Sequence, residues 1–382
     1  MPAKLTTTGA APFPFLDLKA QYRTIQPEIE AAVRRVMESQ QFILGPEVDS
    51  FEREVAAYLK TRFVIACASG SDALLLALMA LEVGPGDEIV TTPFTFVATA
   101  GAIARLGARP VFVDIDQTTF NLDPEKIAPA ITSKTRAIIP VHLFGMSAEM
   151  ASIARVAADR GIPVVEDAAQ AIGARFAGKP VGTISLCGCF SFFPSKNLAA
   201  AGDGGMLVTN DEALAHKLRL LHLHGGPTKY EYDLIGMNSR LDALQAAILR
   251  VKLAHLDSWT AKRQQNAHRY TELFTRCGLH RFVRLPQVQP PCDHVYHQYV
   301  IRVPQQRNEL KAFLRERGVP SEIYYPLPLH LQKAFAYLGY KPGDLPESER
   351  ASREVLALPV FPEMTEEQRE LVVDSIAAFY KV

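Results

Sequence analysis

Through the first two-thirds of the chain, short apolar runs rich in β-branched residues alternate with longer stretches of helical periodicity. "FVIACAS" (63–69) predicts a strand and leads into "DALLLALMALEVG", an apolar helix that Gly84 would close. "DEIVTTP" (87–93) precedes the helical "TFVATAGAIARLGA", and "PVFVDID" (110–116) comes next. "RAIIPVHLFG" (136–145) leads to "AEMASIARVAADRG", and "IPVVEDAAQ" (162–170) is followed by "CGCFSFFP" and "GGMLVTN". Strands and helices alternating at this spacing predict an α/β fold with a mostly parallel sheet, helices on both faces. Gly and Pro at the junctions support the cuts.

Beyond that the rhythm changes. A long helical stretch is predicted from near Ser239 to about Phe274, long enough to be a spine between domains. "HVYHQYVIRV" (294–303) alternates like a strand, "QRNELKAFLRERG" reads as a helix, and "SEIYYPLPLHLQ" (321–332) is proline-rich and irregular. "TEEQRELVVDSIAAFY" predicts a C-terminal helix with a threonine N-cap. These readings divide the chain into an N-terminal arm (1–20) with mobile first residues, a large domain (21–255) and a smaller α+β domain (256–382).

Composition narrows the function classes. Lys+Arg and Asp+Glu are equal at 41 each in 382 residues, which offers no basic excess for nucleic acid or a membrane surface. No run approaches the roughly 18 apolar residues of a membrane span, and "MPAKLTTTGAAPFPF" has no apolar leader core, so a cytoplasmic protein is expected. Five cysteines at irregular spacing make no disulfide framework. Cys187 and Cys189, two apart in a predicted strand, would point the same way, as core thiols and not as a metal site. "GARFAGKP" (173–180) nearly fits a phosphate loop, but Pro180 stands where the magnesium-binding hydroxyl belongs. No G-x-G-x-x-G follows the first strand.

Four places carry candidate chemistry. In "ASGSDALLLAL", Gly70 and Ser71 would offer backbone N–H groups at a helix start, a seat for phosphate; plain capping by Ser69 or Ser71 explains the same residues. "VVEDAAQ" ends a strand with Glu166 and Asp167, either a helix cap or a carboxylate for a protonated ring nitrogen. Lys196, in "FSFFPSKNLAAAGDGGM", is either a solvated strand-end lysine or a partly desolvated nucleophile able to form a Schiff base. Phe94 and Phe96, in "TTPFTFVATA", are core residues or an aromatic lid on a flat ring. Jointly they supply a phosphate seat, a ring stacker, a ring-nitrogen acid and a Schiff-base lysine, in the order of a pyridoxal phosphate enzyme with the aspartate-aminotransferase fold.

With these segments, and with "PFLDLKAQY", "QFILGPEVDSFE", "VHLFG", "GMNSRLDALQAA" and "YYPLPLHLQ", the chain resembles the DegT/DnrJ/EryC1/StrS family of nucleotide-sugar aminotransferases over nearly its whole length. The resemblance implies a type I pyridoxal phosphate fold and pyridoxal 5′-phosphate held by Lys196. It assigns Asp167 to the pyridine nitrogen, Gln170 to the ring-hydroxyl side, Phe96 to the ring face, and Gly70, Ser71 and Ser191 to the phosphate. It implies that Asn238 reaches the phosphate from a neighbouring subunit, hence a homodimer with shared sites, and that Tyr325 and His330 lie near the substrate. Lys196 would also shuttle the proton of a ping-pong transfer from an amino acid, glutamate in the family, to a ketosugar. The C-terminal segments resemble members that aminate C3 more than C4. Sugar dehydratases of the family carry histidine where this chain has Lys196; a regulatory protein keeping the fold without turnover is a further alternative. Ala199, Ser71 and Ser239 stand where the family often has glycine, threonine and an aromatic residue; Ser239 is expected to alter the substrate- or dimer-facing surface.

Overall fold

The four-residue run Glu88–Thr91 sits between Arg109–Phe112 and Thr135–Ile139 in parallel register, with Ile89 and Val90 fully buried. This computed structural model describes residues 13–382 except 227 and 229; the N-terminal residues expected to be mobile therefore lie largely outside it. A second sheet places Phe63–Cys67, Gly205–Thr209, Cys187–Ser191 and Val165–Asp167 side by side. Two parallel bridges, Ile138–Val164 and Val141–Asp167, join the two halves. Every strand of the joined sheet runs parallel except Gly205–Thr209, which is antiparallel to both neighbours. The predicted mostly parallel sheet is thus observed, and the carboxyl ends of its central strands converge at Asp167.

Apolar clusters pack on both sides. On one, Leu74, Leu76 and Leu78 of the Gly70–Ala80 helix cover Cys67, Cys187 and Cys189. On the other, Phe51, Phe190 and Phe192 pack together and Phe51 meets Phe192 edge-on at 5.4 Å. Each such fully buried ring contributes about 1.5–3 kcal/mol by removing apolar area from water. The "GARFAGKP" segment forms a small hairpin, Arg175–Phe176 with Lys179–Pro180, and no strand-to-helix phosphate loop.

Three local expectations are corrected. The Gly70–Ala80 helix does not run to Gly84: Glu82 takes the left-handed turn (φ 58) and the Val83 N–H reaches back to the Leu78 carbonyl. The expected helix from Ser239 to Phe274 is two helices, Ala243–Leu253 and Leu256–Arg276. Its first residues are committed elsewhere, because Ser239 donates to the His222 carbonyl and Asp242 bridges Ile43. The strand expected over 294–303 is only Tyr299–Arg302. Upstream, Tyr296 takes a positive φ of 44° and Val295 donates to the Gly145 carbonyl, so the ladder starts late.

Tyr299–Arg302 pairs antiparallel with Val355–Leu358, under the helices Leu256–Arg276, Arg307–Glu316 and Glu366–Tyr380. The last helix starts with a capping box between Thr365 and Gln368. The break between the helices falls at Ala254–His255, where the proposed small domain begins, whereas the proposed arm boundary at residue 20 lies inside the helix Leu18–Ser39. Phe94, Phe120 and Phe144 pack against Val300, Val355 and Ala357, which buries the seam beside the sheet's carboxyl end.

Candidate active site

Strand alternation separates the two adjacent acids. Asp167 is 4% exposed at the strand end; its Oδ2 accepts from the Thr99 hydroxyl at 2.8 Å and its Oδ1 from the Ala169 N–H at 3.2 Å. Burial raises its pKa, only partly offset by Thr99, Ala169 and the charge of Lys196. Glu166 turns to a different set of partners. It accepts from His142 Nε2 (2.9 Å), from the N–H groups of Gly182 (2.6 Å), Ile184 (2.9 Å) and Ser185 (2.8 Å), and from the Ser185 hydroxyl (2.8 Å). His142 Nδ1 accepts the Ala148 N–H at 3.0 Å, so Nε2 is the nitrogen that donates to Glu166. Burial opposes the charge of Glu166, but His142 and these donors outweigh it and hold the carboxyl below its usual range.

Lys196 follows the Cys187–Ser191 strand in a tight turn, its N–H on the Phe193 carbonyl at 2.8 Å. Burial pulls its pKa down to about 8, against the raising effect of Asp167. A lysine so placed loses its proton at lower pH than an exposed one, which raises the share of nucleophilic free amine. The turn is tied down by Asn197, which donates to the Val295 carbonyl at 3.1 Å and meets His297 Nδ1 at 3.2 Å. His297 has its pKa held well below the usual value, by burial first and then by Lys196.

The phosphate seat is a close approach of backbones. The Gly70–Ala80 helix has Ser69 as its N-cap, whose hydroxyl accepts the Asp72 N–H at 3.1 Å. Capping and the anion seat are therefore compatible readings of one segment. A Cβ on Gly70 would fall 2.6 Å from the Ser191 Cβ, so only glycine lets Ser191 face the helix start. A Cβ on Gly205 would fall 2.3 Å from the Ser69 carbonyl carbon, which explains a glycine of "GDGGM" by packing. Ser71 is exposed beside them.

Phe96 is 57% exposed at the start of the Val97–Arg105 helix, whereas Phe94 is fully buried, which separates the two candidate rings. Gln170 accepts the Phe144 N–H at 2.7 Å and donates to the Tyr325 hydroxyl at 3.1 Å. Asp167, Gln170, Lys196 and Tyr325 thus converge, and Gly70 and Ser191, the candidate phosphate seat, lie against each other. Asn238 is exposed, its backbone bridged to Leu223. His330 is 1% exposed, and its polar contact is Glu349, at 3.2 Å from Nε2. Ser239 is a correction: it is fully buried, donates to Asp72 at 2.8 Å and accepts the Ala68 N–H at 3.2 Å. It pins the 68–72 turn within its own subunit instead of shaping an outer surface. Sequence reasoning also passed over Thr99 and the Asn197–His297 pair; Thr95 and Thr99, four apart at a helix start, were a readable signal for the first.

These residues fit pyridoxal 5′-phosphate: a glycine-only cradle at a helix N-terminus, a buried carboxylate with accepting capacity left, an exposed ring, and a lysine of lowered pKa. Among the described residues no group of His, Cys, Asp or Glu is placed to hold a metal ion, and no helix is long and apolar enough to cross a membrane.

Comparison with known proteins agrees. The chain is 53% identical over 368 residues to a protein of Geobacillus stearothermophilus named "Pleiotropic regulatory protein", covering 96% of this chain and 98% of the relative. It is 45% identical to the UDP-N-acetyl-3-dehydro-alpha-D-glucosamine 3-aminotransferase of Acidithiobacillus ferrooxidans, over 93% of this chain and 94% of that protein. The crystal structure of DesV from S. venezuelae, in complex with a ketimine intermediate, superposes with a TM-score of 0.94 at 41% identity, covering 98% of this chain and 100% of that one. Residues 23–377 match the model of the DegT/DnrJ/EryC1/StrS aminotransferase family, and the chain belongs to this family of pyridoxal phosphate-dependent aminotransferases.

Proposed function

We propose that the protein transfers an amino group from an amino acid, glutamate, to C3 of a nucleotide-linked ketosugar, as a homodimer with shared active sites. The observation that carries the reading is the convergence of Lys196, Asp167, Gln170 and Tyr325, with exposed Phe96 within one turn of Thr99, the donor to Asp167. The 3-aminotransferase from A. ferrooxidans supports position C3.

In this reading Lys196 holds the cofactor's reactive carbon, Asp167 its ring nitrogen, Gln170 the ring-hydroxyl side, and Gly70, Ser71 and Ser191 the phosphate. The bound cofactor supplies an electron sink for negative charge at the amine-bearing carbon. Lys196 Nζ then takes a proton from one carbon and returns it to another, a task suited to its lowered pKa of about 8. Asp167 keeps a proton on the ring nitrogen, Phe96 covers the ring, and Tyr325, held by Gln170, faces the substrate side. Asn238, exposed in the single chain, completes the phosphate site of a second copy.

Purified protein supplied with glutamate and a panel of nucleotide-linked 3-keto and 4-keto sugars tests this directly. Formation of 2-oxoglutarate and a 3-amino sugar is expected, and a clear 4-keto preference overturns the position. The name of the Geobacillus relative favours a second reading, a regulator; cofactor binding without turnover on any amino donor would support it. Mixing Lys196→Ala with Asn238→Ala subunits examines the dimer: shared sites restore one intact site, separate sites restore none.

A further inference from the structure

The mechanism needs Asp167 ionised, yet its surroundings press the other way. It lies 4% exposed at the strand end, and burial raises its pKa. The titratable groups facing it are Lys196, from the turn after the Cys187–Ser191 strand, and His142, from the segment before the 3₁₀ turn at Leu143, whose ring nitrogens are engaged with Glu166 and the Ala148 N–H. The Tyr325 hydroxyl and the Cys189 thiol also feel its charge, and burial raises the pKa of both. Lys196 is itself a reacting group, so it cannot serve as a constant counter-charge.

A fixed source of stabilisation comes from a neighbouring helix. The Thr99 hydroxyl donates to Asp167 Oδ2 at 2.8 Å, and the Thr95 hydroxyl lies 3.2 Å from that of Thr99. A hydroxyl has one proton. Thr99 spends its proton on Asp167, so Thr95 must be the donor to Thr99. Direction is thereby fixed along the chain: Thr95 to Thr99 to Asp167. Both threonines are buried, at 3% and 1% exposure, where such relays polarise each donor and strengthen the last. The same segment carries Phe96 between them, so one helix start delivers the ring cover and the acid's donor.

We propose that Thr99, backed by Thr95, is a positioning residue that keeps Asp167 ionised and oriented for the cofactor's ring nitrogen. The proposal rests on the cofactor assignment and is independent of which sugar is aminated. A donor to a carboxylate favours its charged form; removing it raises the acid's pKa further.

The test compares wild type with Thr99→Val, Thr99→Ser and Thr95→Val as apoenzymes titrated with pyridoxal 5′-phosphate across pH. Thr99→Val is expected to bind the cofactor about tenfold more weakly or worse, with the acid limb of binding moved to higher pH. Thr99→Ser should bind within about twofold of wild type, and Thr95→Val should fall between. Thermal melting of each apoenzyme separates packing from positioning. Wild-type affinity and pH profile in Thr99→Val would overturn the proposal. So would a Thr99→Val whose only change is a lower melting temperature, or a Thr99→Ser as impaired as the valine. Failure of wild type itself to bind would sink the cofactor assignment and this proposal with it, whereas wild type that binds beside an unaltered Thr99→Val sinks the proposal alone.

Discussion

Glu166 and Asp167 are consecutive on one short strand, both buried, and treated in opposite ways. Glu166 receives five donors, from His142, Gly182, Ile184 and Ser185, and its pKa falls. Asp167 receives two, and its pKa rises. A carboxylate holds about four acceptor sites. Glu166 is saturated, so it has nothing to offer a ligand; it is scaffold that fastens the 182–185 loop to the sheet. Asp167 retains accepting capacity and stays costly until a cation meets it. An unmet need at a buried charge marks the chemical face, and a fully met one marks the structural face.

The hardest test of that division falls on the cation across from Asp167. Lys196→Ala should cut transamination by about ten-thousand-fold or more, since it removes the group that the proposed mechanism uses as both covalent anchor and proton carrier. The apoenzyme should fold normally, because burial of the charged lysine is a cost. Folded Lys196 has a pKa near 8 against about 10.4 unfolded. Its destabilisation is therefore full below pH 8 and relieved as pH rises between the two values. A melting curve showing Lys196→Met no more stable than wild type at pH 7 would contradict this.

Next in size is Glu166→Ala. It strands the His142 Nε2–H, three N–H groups and the Ser185 hydroxyl, at about 1–3 kcal/mol for each buried donor left without an acceptor. Chemical denaturation should show that loss, and the folded remainder should keep wild-type turnover per bound cofactor. Asp167→Asn should do the reverse, with turnover down by about a hundred- to a thousandfold and an apoenzyme as stable as wild type or more so at pH 7. The signs with pH differ as well. Glu166 contributes stability that is present above its unfolded pKa of about 4.3 and lost as pH falls through its lower folded value. Asp167 has a raised folded pKa, so its penalty is absent below about 3.9, grows as pH rises toward the folded value and is full above it. Acid unfolding of the two variants against wild type reads both slopes; equal slopes would erase the distinction between the acids.

Much of this contrast was not legible in "VVED". Periodicity placed both acids at a strand's end, and the recurring strand–helix alternation gave the sheet and its direction. Gly70, Lys196 and the pair Phe94 and Phe96 are candidates from local signals, but only their combination and the family resemblance single out Lys196 and Phe96. Which acid faces the site depends on partners 15 to 70 residues away: Thr99, His142 and the 182–185 loop. Ser239 was misread for the same reason, since its partners Ala68 and Asp72 lie about 170 positions earlier. The break at Ala254–His255 carries no glycine or proline to announce it, and His255 stacks on Trp259 at 5.6 Å only once the turn has formed.

The smallest effect extends the rule from carboxylates to a hydroxyl. The Ser239 hydroxyl is engaged as both donor and acceptor, giving its one proton to Asp72 and accepting from Ala68. It should behave like Glu166, as scaffold, although it sits beside the phosphate turn. Ser239→Ala leaves the Ala68 N–H and one Asp72 oxygen without that partner, a cost of about 1–2 kcal/mol. Urea unfolding should register the loss, while KM for the ketosugar and the oligomeric state stay as in wild type. Affinity for pyridoxal 5′-phosphate should drop by only a few-fold, about 1 kcal/mol or less, because Ser69 still caps the helix. A variant of unchanged stability with an altered KM or a dissociated dimer would restore Ser239 to the outer surface and show that saturation does not separate scaffold from site.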